Sequence, residues 1–140
     1  MSQENVELVE GIFAGTEIGD KRALLAALPE LIAQFCDPDI EWIEDPQRPD
    51  SRVYHGHEGV QRSFERWLEQ WDEYGSEADR FVDCGDDVLV IAHEHARGRV
   101  SRASVSSRIH MAFTIRAGKI ARYREFYDEH EALKAVGLAE

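Results

Sequence analysis

The sequence predicts an α+β fold in one domain, helices first and an antiparallel meander of strands afterwards. Three observations carry that prediction. Apolar residues recur at helical spacing through the first half of the chain. From Glu77 onward the apolar period becomes two. Turn signals at Gly85-Asp86, around Ser101-Arg102 and at Ala117-Gly118 then divide the second half into strands.

The elements follow in order. Val6, Val9 and Phe13, with Leu8 and Ile12, form the stripe of a first helix, which Ser2 can cap and Gly15 to Gly19 ends. Asp20 is a good cap for a second helix carrying Leu24, Leu25 and Leu28. Pro29 suits the first turn of a third, with Leu31, Ile32 and Phe35, and Asp37-Pro38 stops it. Ile40 to Glu44 alternates as a short strand, Pro46 and Pro49 force a loop, and Val53-Tyr54 is a second short strand. His57 to Tyr74 reads as a long helix: Val60, Phe64, Trp67, Leu68, Trp71 and Tyr74 lie on one stripe, and Gly75 follows as a stop. Trp67 and Trp71 should therefore be largely buried. Four strands come next: Glu77 to Cys84, Val88 to Arg99, Ser104 to Arg116 and Lys119 to Asp128. A short helix from Glu129 to Val136 ends at Gly137.

Composition narrows the class of protein. The chain has 140 residues, 43% hydrophobic and 9% aromatic, which suits one domain over 1–140 and argues against disorder. A chain of this size buries roughly 70% of its unfolded surface, enough for a core. The net charge of −12 argues against nucleic acid and anionic membrane, because phosphate contacts need clustered Lys and Arg. No segment is apolar enough to span a membrane, and the polar start Met1-Ser2-Gln3-Glu4 does not read as a signal peptide. A cytoplasmic protein is expected, with Cys36 and Cys84 as free thiols.

Register sharpens the reading. A two-residue loop at Ala117-Gly118 pairs Arg116 with Lys119, Ile115 with Ile120, Ala112 with Tyr123, His110 with Glu125 and Arg108 with Tyr127. One side of the sheet then holds His110, Tyr123, Glu125 and Tyr127, as a polar-lined pocket requires. The other holds Ile109, Met111, Phe113 and Ile115. A one-residue bulge would break this register. A histidine beside a carboxylate is an acid–base arrangement; it is also what a surface ion pair looks like. If the turn near Ser101-Arg102 sets His93 opposite His110, then His93, His95 and Arg97 join the same side. His93-Glu94-His95 raises a metal site, but no third ligand follows at a recognised spacing. His55 and His57, at a helix start, suit loop or capping roles. Asp45, before Pro46, suits either the turn or catalysis.

Several stretches carry a family resemblance in their order and spacing: Gly19-Asp20, Asp39-Ile40-Glu41-Trp42, Glu44-Asp45-Pro46, Tyr54-His55-Gly56-His57-Glu58-Gly59-Val60, and Phe113 through Ile120. Together they resemble the SnoaL-like branch of the nuclear transport factor 2-like superfamily over nearly the whole chain. The resemblance implies a cone-shaped α+β barrel, a curved sheet wrapped around helices and a deep pocket, with dimerisation through the sheet. Steroid isomerases of this fold are similar at Glu44-Asp45-Pro46, where Asp45 matches their base, and Tyr123 and Tyr127 match pocket positions. Their oxyanion tyrosine falls at about Ile12 and their second acid near Met111 or Ala112, so both donors are missing. In polyketide cyclases, which need neither metal nor cofactor, the acid–base aspartate matches Glu125. The carboxylate–arginine–carboxylate pattern of epoxide hydrolases of this fold is not read in the sequence.

These readings give Glu125 with His110, assisted by Asp45, as the candidate catalytic group. Trp42, Tyr54, Trp67, His93, Tyr123 and Tyr127 are the candidate ligand-binding residues. Three functions fit: a cofactor-independent proton-transfer enzyme acting on a small apolar carbonyl compound, a binding module for a hydrophobic ligand, and an association domain. A homodimer through the side carrying Ile109, Met111, Phe113 and Ile115 is expected, since an uncovered apolar face invites a partner.

Overall fold

The computed structural model describes residues 2–14 and 21–139. Four helices, α1 (Ser2–Ala14), α2 (Lys21–Phe35), α3 (Gly56–Leu68) and α4 (Glu129–Ala135), accompany six strands. The strands are β1 (Cys36–Ile43), β2 (Val53–His55), β3 (Trp71–Cys84), β4 (Asp87–Gly98), β5 (Ser104–Arg116) and β6 (Lys119–Phe126). They form one curved sheet in the order β2-β1-β6-β5-β4-β3, not closed into a barrel, antiparallel except where β1 runs parallel to β6.

The α+β class and the meander are as the sequence predicts. Two helical boundaries differ. Pro29 does not open a third helix; it sits inside one continuous α2. The expected cap at Asp20 and the helix end at Gly15 to Gly19 lie outside the described residues. The long helix stops at Leu68, and Trp71 and Tyr74 belong to β3. Their three-residue spacing suits a helix, but it also suits a strand with one extra residue. Such an irregularity separates Trp71 from Glu73, so Trp71 opposes Gly98 and Tyr74 opposes Ala96, both on one face. The ladder to β4 then provides backbone partners along the whole of β3. Trp67 and Trp71 are mostly covered, though less completely than Trp42, which is buried.

The Ala117-Gly118 hairpin forms with the expected Arg116–Lys119 and Ile115–Ile120 pairs. Both loop residues have positive φ, +52° at Ala117 and +75° at Gly118, as a tight hairpin of this hand requires. Beyond it the register departs from the expectation. One extra residue, Ala121, bulges between Ile120 and Arg122. Phe113 therefore opposes Tyr123, Met111 opposes Glu125, and His110 opposes Phe126. Glu125 and His110 end on opposite faces of the sheet.

That shift reverses the meaning of the two faces. Ile109, Met111, Phe113 and Ile115 do not form an open surface. They are buried in the core with Val9, Leu28, Ile32 and Val60 of the three longer helices, and with Trp42 and Tyr123. The argument for a dimer through these four residues is thereby removed. The opposite face carries Leu89, His110 and Ala112, all buried, where α4 lies against β5 and β6. Farther along β4 and β5 it carries His93, His95, Arg97 and Arg108. Asp128 caps α4 by accepting a hydrogen bond from the Glu131 N–H at 3.0 Å.

Against the inner face, α3 approaches β2 closely. A Cβ on Gly59 would lie 3.0 Å from Tyr54 Cβ, so only glycine fits there without displacement. Both described cysteines, Cys36 and Cys84, are free, and burial pushes the Cys36 thiol up to about 12. No helix among the described residues is long and apolar enough to cross a membrane.

Candidate active site

Between the inner face and the helices lies a cavity of about 160 Å³. Its walls are mostly apolar: Ile12, Phe13, Leu28, Ile32, Val60, Phe64, Ile109, Met111 and Phe113, with Trp42 and Trp67. Trp42 is stacked on Tyr123 with ring centroids 3.8 Å apart, and Phe64 tilts against Trp42 at 5.5 Å. The polar lining includes Glu44, Arg48, Tyr74, Glu94, Tyr123 and Glu125. An engineered apolar cavity of about 150 Å³ admits benzene, so this one has room for about one ring.

Glu125 reaches the cavity because the Ala121 bulge puts it beside Met111 on the inner face. It is 9% exposed. Its partners are the Arg48 guanidinium at 3.5 Å and the Tyr123 hydroxyl, which donates at 3.4 Å. Burial raises its pKa to about 8. Arg48 pulls the other way, and Glu94, Glu44 and Asp45 reinforce the rise. The carboxyl is therefore mostly protonated at neutral pH, placed to give a proton and to take one back.

Arg48 comes from the loop between β1 and β2. Its guanidinium lies 4.7 Å above the Trp67 ring and also contacts Glu44 at 3.2 Å and Asp50 at 3.2 Å. Glu44 is 3% exposed and fully engaged. It accepts the Ser63 hydroxyl at 2.8 Å and the Arg52 N–H at 2.9 Å, with Arg66 at 3.7 Å. An arginine between two carboxyls is thus present in space, though no spacing in the sequence announces it.

Glu94 enters from β4, 5% exposed. The Tyr127 hydroxyl donates to Oε1 at 2.9 Å and the Tyr74 hydroxyl donates to Oε2. Burial raises the Glu94 pKa, while the two tyrosines, Arg48 and Ser107 oppose that rise. Burial and the neighbouring carboxyl also hold the Tyr74 and Tyr127 phenols above their usual range, so both are neutral donors.

Of the residues expected at the site, Glu125, Trp42, Trp67 and Tyr123 line the cavity. Tyr127 stands beside it through Glu94. Tyr54 packs on α3 behind the wall and approaches Arg66 at 3.5 Å. Asp45 is buried in a turn. Its Oδ1 accepts the Gln47 N–H and its Oδ2 accepts the Tyr127 N–H, each at 2.9 Å, which ties the loop to the end of β6.

His110 is a correction. It faces away from the cavity, 2% exposed, with Nδ1 3.1 Å from the Phe126 carbonyl and Nε2 3.8 Å from Glu129 of α4. His93 lies opposite Arg108, two residues from the expected pairing, so it does share a side with His110. That side is the outer one. There His93 contacts Asp79 at 2.9 Å and Glu77 at 3.7 Å. Strand alternation sends Glu94 inward, away from His93 and His95, and no cluster of metal-ligand residues occurs among the described residues. His57 anchors the start of α3 on the Cys36 carbonyl at 2.9 Å.

Sequence reasoning missed Glu94, Arg48 and Tyr74. Glu94 left a signal: alternation aligns it with Val88, Val90 and Ala92, an apolar face on which a lone carboxylate is out of place. Arg48 left none, because only folding of its loop brings it to Glu125.

An open α+β cone enclosing an apolar cavity with a few converging polar groups defines a class of pocket protein. Residues 22–123 match the SnoaL-like domain family, and the chain belongs to it. Solved structures agree on the fold. A nuclear transport factor 2-like protein from Burkholderia thailandensis is 26% identical, with TM-score 0.72 and 95% of each chain covered. A putative SnoaL-like polyketide cyclase from Jannaschia sp. CCS1 is 16% identical, with TM-score 0.72, covering 99% of this chain and 94% of its own. TerC, co-crystallised with polyporic acid, is 16% identical with TM-score 0.70, covering 96% and 98%. No curated protein matches the chain at a significant level.

Proposed function

We propose that the protein is a cofactor-independent proton-transfer enzyme acting on a ring-sized, largely apolar carbonyl compound, with Glu125 as its acid–base group. The observation that carries the reading is the Glu125 carboxyl, buried in the cavity wall and raised to about 8. A group with that property exchanges protons readily near neutral pH. The protonated carboxyl would give its proton to the substrate carbonyl oxygen, and the carboxylate so formed would take a proton from the adjacent carbon, leaving the enol and a carboxyl protonated as before. Arg48 would support the ionised form, and Trp42, Phe64 and Trp67 would hold the apolar body. Membership of a family related to polyketide cyclases supports the reading at the level of fold.

The test is exchange of α-C–H for deuterium in cyclohexanone and acetophenone, followed by proton NMR in heavy water. The wild type should accelerate exchange, and Glu125→Gln should remove about 10²-fold or more of that acceleration with no loss of melting temperature. Acceleration that survives in Glu125→Gln would overturn the assignment. Saturable binding of both ketones without any exchange would favour a binding module instead.

A further inference from the structure

Within that proposed reading, Glu125 presents a puzzle. A carboxyl 3.5 Å from a guanidinium would ordinarily lose its proton and form an ion pair. Burial opposes this, but Arg48 is itself shared among Glu44, Asp50 and Glu125. What else faces Glu125 therefore decides its charge. From the loop after β1 come Arg48, Glu44 and Asp45, from β6 Tyr123, from just past β6 Tyr127, and from β4 Glu94, with Tyr74 of β3 behind it on the Glu94 carboxyl.

These groups are not equivalent. Glu44 is matched by two arginines, Arg48 and Arg66. Asp45 lies outside the cavity lining and is spent on two backbone N–H groups. Glu94 lines the cavity, and among the described residues no cation lies within ion-pair distance of it. Its oxygens are held instead by the hydroxyls of Tyr74 and Tyr127. Two neutral donors stabilise a carboxylate without cancelling its charge. A carboxylate so held projects its field across a low-dielectric space.

We propose that Glu94, clamped by Tyr74 and Tyr127, is a positioning residue for Glu125: its carboxylate, held by hydroxyls and not directly paired with a cation, offsets Arg48 and keeps the Glu125 proton in place. Tyr127 links the two carboxyls physically, two residues beyond Glu125 and just past the end of β6, with its hydroxyl on Glu94. The sequence pattern fits this role. Glu94 departs from the apolar run of its inner face, and Tyr74 of β3 meets it there. The inference deepens the acid–base reading by naming what sets the charge of the acid.

The experiment is a carboxyl ¹³C NMR pH titration of the full chain, comparing wild type, Glu94→Gln, Glu94→Asp and Tyr74→Phe/Tyr127→Phe. In Glu94→Gln the Glu125 midpoint should fall by about half a unit or more, because a like charge is removed. Glu94→Asp should recover part of the wild-type value. The tyrosine double variant should raise the Glu94 midpoint and lower that of Glu125. It keeps a carboxyl at position 94 and so serves if Glu94→Gln fails to fold. A Glu125 midpoint unmoved in the folded variants would overturn the proposal while leaving a raised wild-type Glu125, and the acid–base reading, intact. A wild-type Glu125 that titrates as an ordinary carboxyl would remove both.

Discussion

The two faces of β5 and β6 each bury a titratable side chain, and they treat it differently. On the inner face Glu125 borders an open cavity, with a guanidinium and a tyrosine hydroxyl in reach. On the outer face His110 is packed under α4, with one ring nitrogen on a backbone carbonyl and the other 3.8 Å from Glu129. In an unbulged ladder the two would face each other as a pair. One extra residue, Ala121, separates them. Catalytic potential here comes from which face a residue reaches, not from its type, and a single bulge sets that face.

The strongest way to break the comparison is to exchange Arg122 and Tyr123 in the double variant Arg122→Tyr/Tyr123→Arg. The bulge directs position 123 inward, opposite Phe113 and against Trp42, so the exchanged guanidinium enters the apolar interior. Burying it there without a partner is prohibitive. Loss of the cooperative thermal transition by circular dichroism is expected. Wild-type melting of the double variant would show that the bulge is not what fixes the two faces.

A second prediction concerns pH. Glu125 has a folded pKa of about 8 against an ordinary 4.5, so between those values the folded chain binds more protons than the unfolded one. The stability this supplies is complete below about pH 4.5 and is lost as pH rises toward 8. The slope contributed by this one group is up to about 1.4 kcal/mol per pH unit. Urea unfolding at several pH values should show that decline in the wild type and a flatter profile in Glu125→Gln. Parallel profiles would contradict the assignment.

Much of the fold was legible and the site only half so. Strand positions from Glu77 onward follow from strict alternation, and the Ala117-Gly118 hairpin from its turn residues. Apart from the helix boundary at Pro29, the errors share one physical cause. Trp71 and Tyr74, Ala78 and Phe81, and Ile120 and Tyr123 are each three residues apart, and each pair points inward only because a bulge lies between them. Three-residue spacing imitates a helix, which extended the long helix into β3, and assuming no bulge exchanged the faces of β6. Apolar residues three apart within an otherwise alternating strand are the readable trace of a bulge. Glu125 was reached from the hairpin register and the family resemblance, Glu94 left a readable trace in the alternation of β4, and Arg48 needed the folded chain.

The smallest expected effect sharpens the outer side of the comparison. His93 is paired with Asp79 and Glu77 near solvent. His93→Ala should change stability by about 0.5 kcal/mol or less, with any loss diminishing at high salt. It should leave ketone binding in the cavity unaltered. A large change in that binding would place His93 in the site after all.

The central claim is that the bulge delivers Glu125 into the cavity as a carboxyl that keeps its proton at neutral pH. Its most direct test is the wild-type ¹³C titration itself, with the Glu125 signal assigned by its disappearance in Glu125→Gln. A midpoint near 8 is predicted. A midpoint near 4.5, the ordinary value for a solvated glutamate, would contradict it.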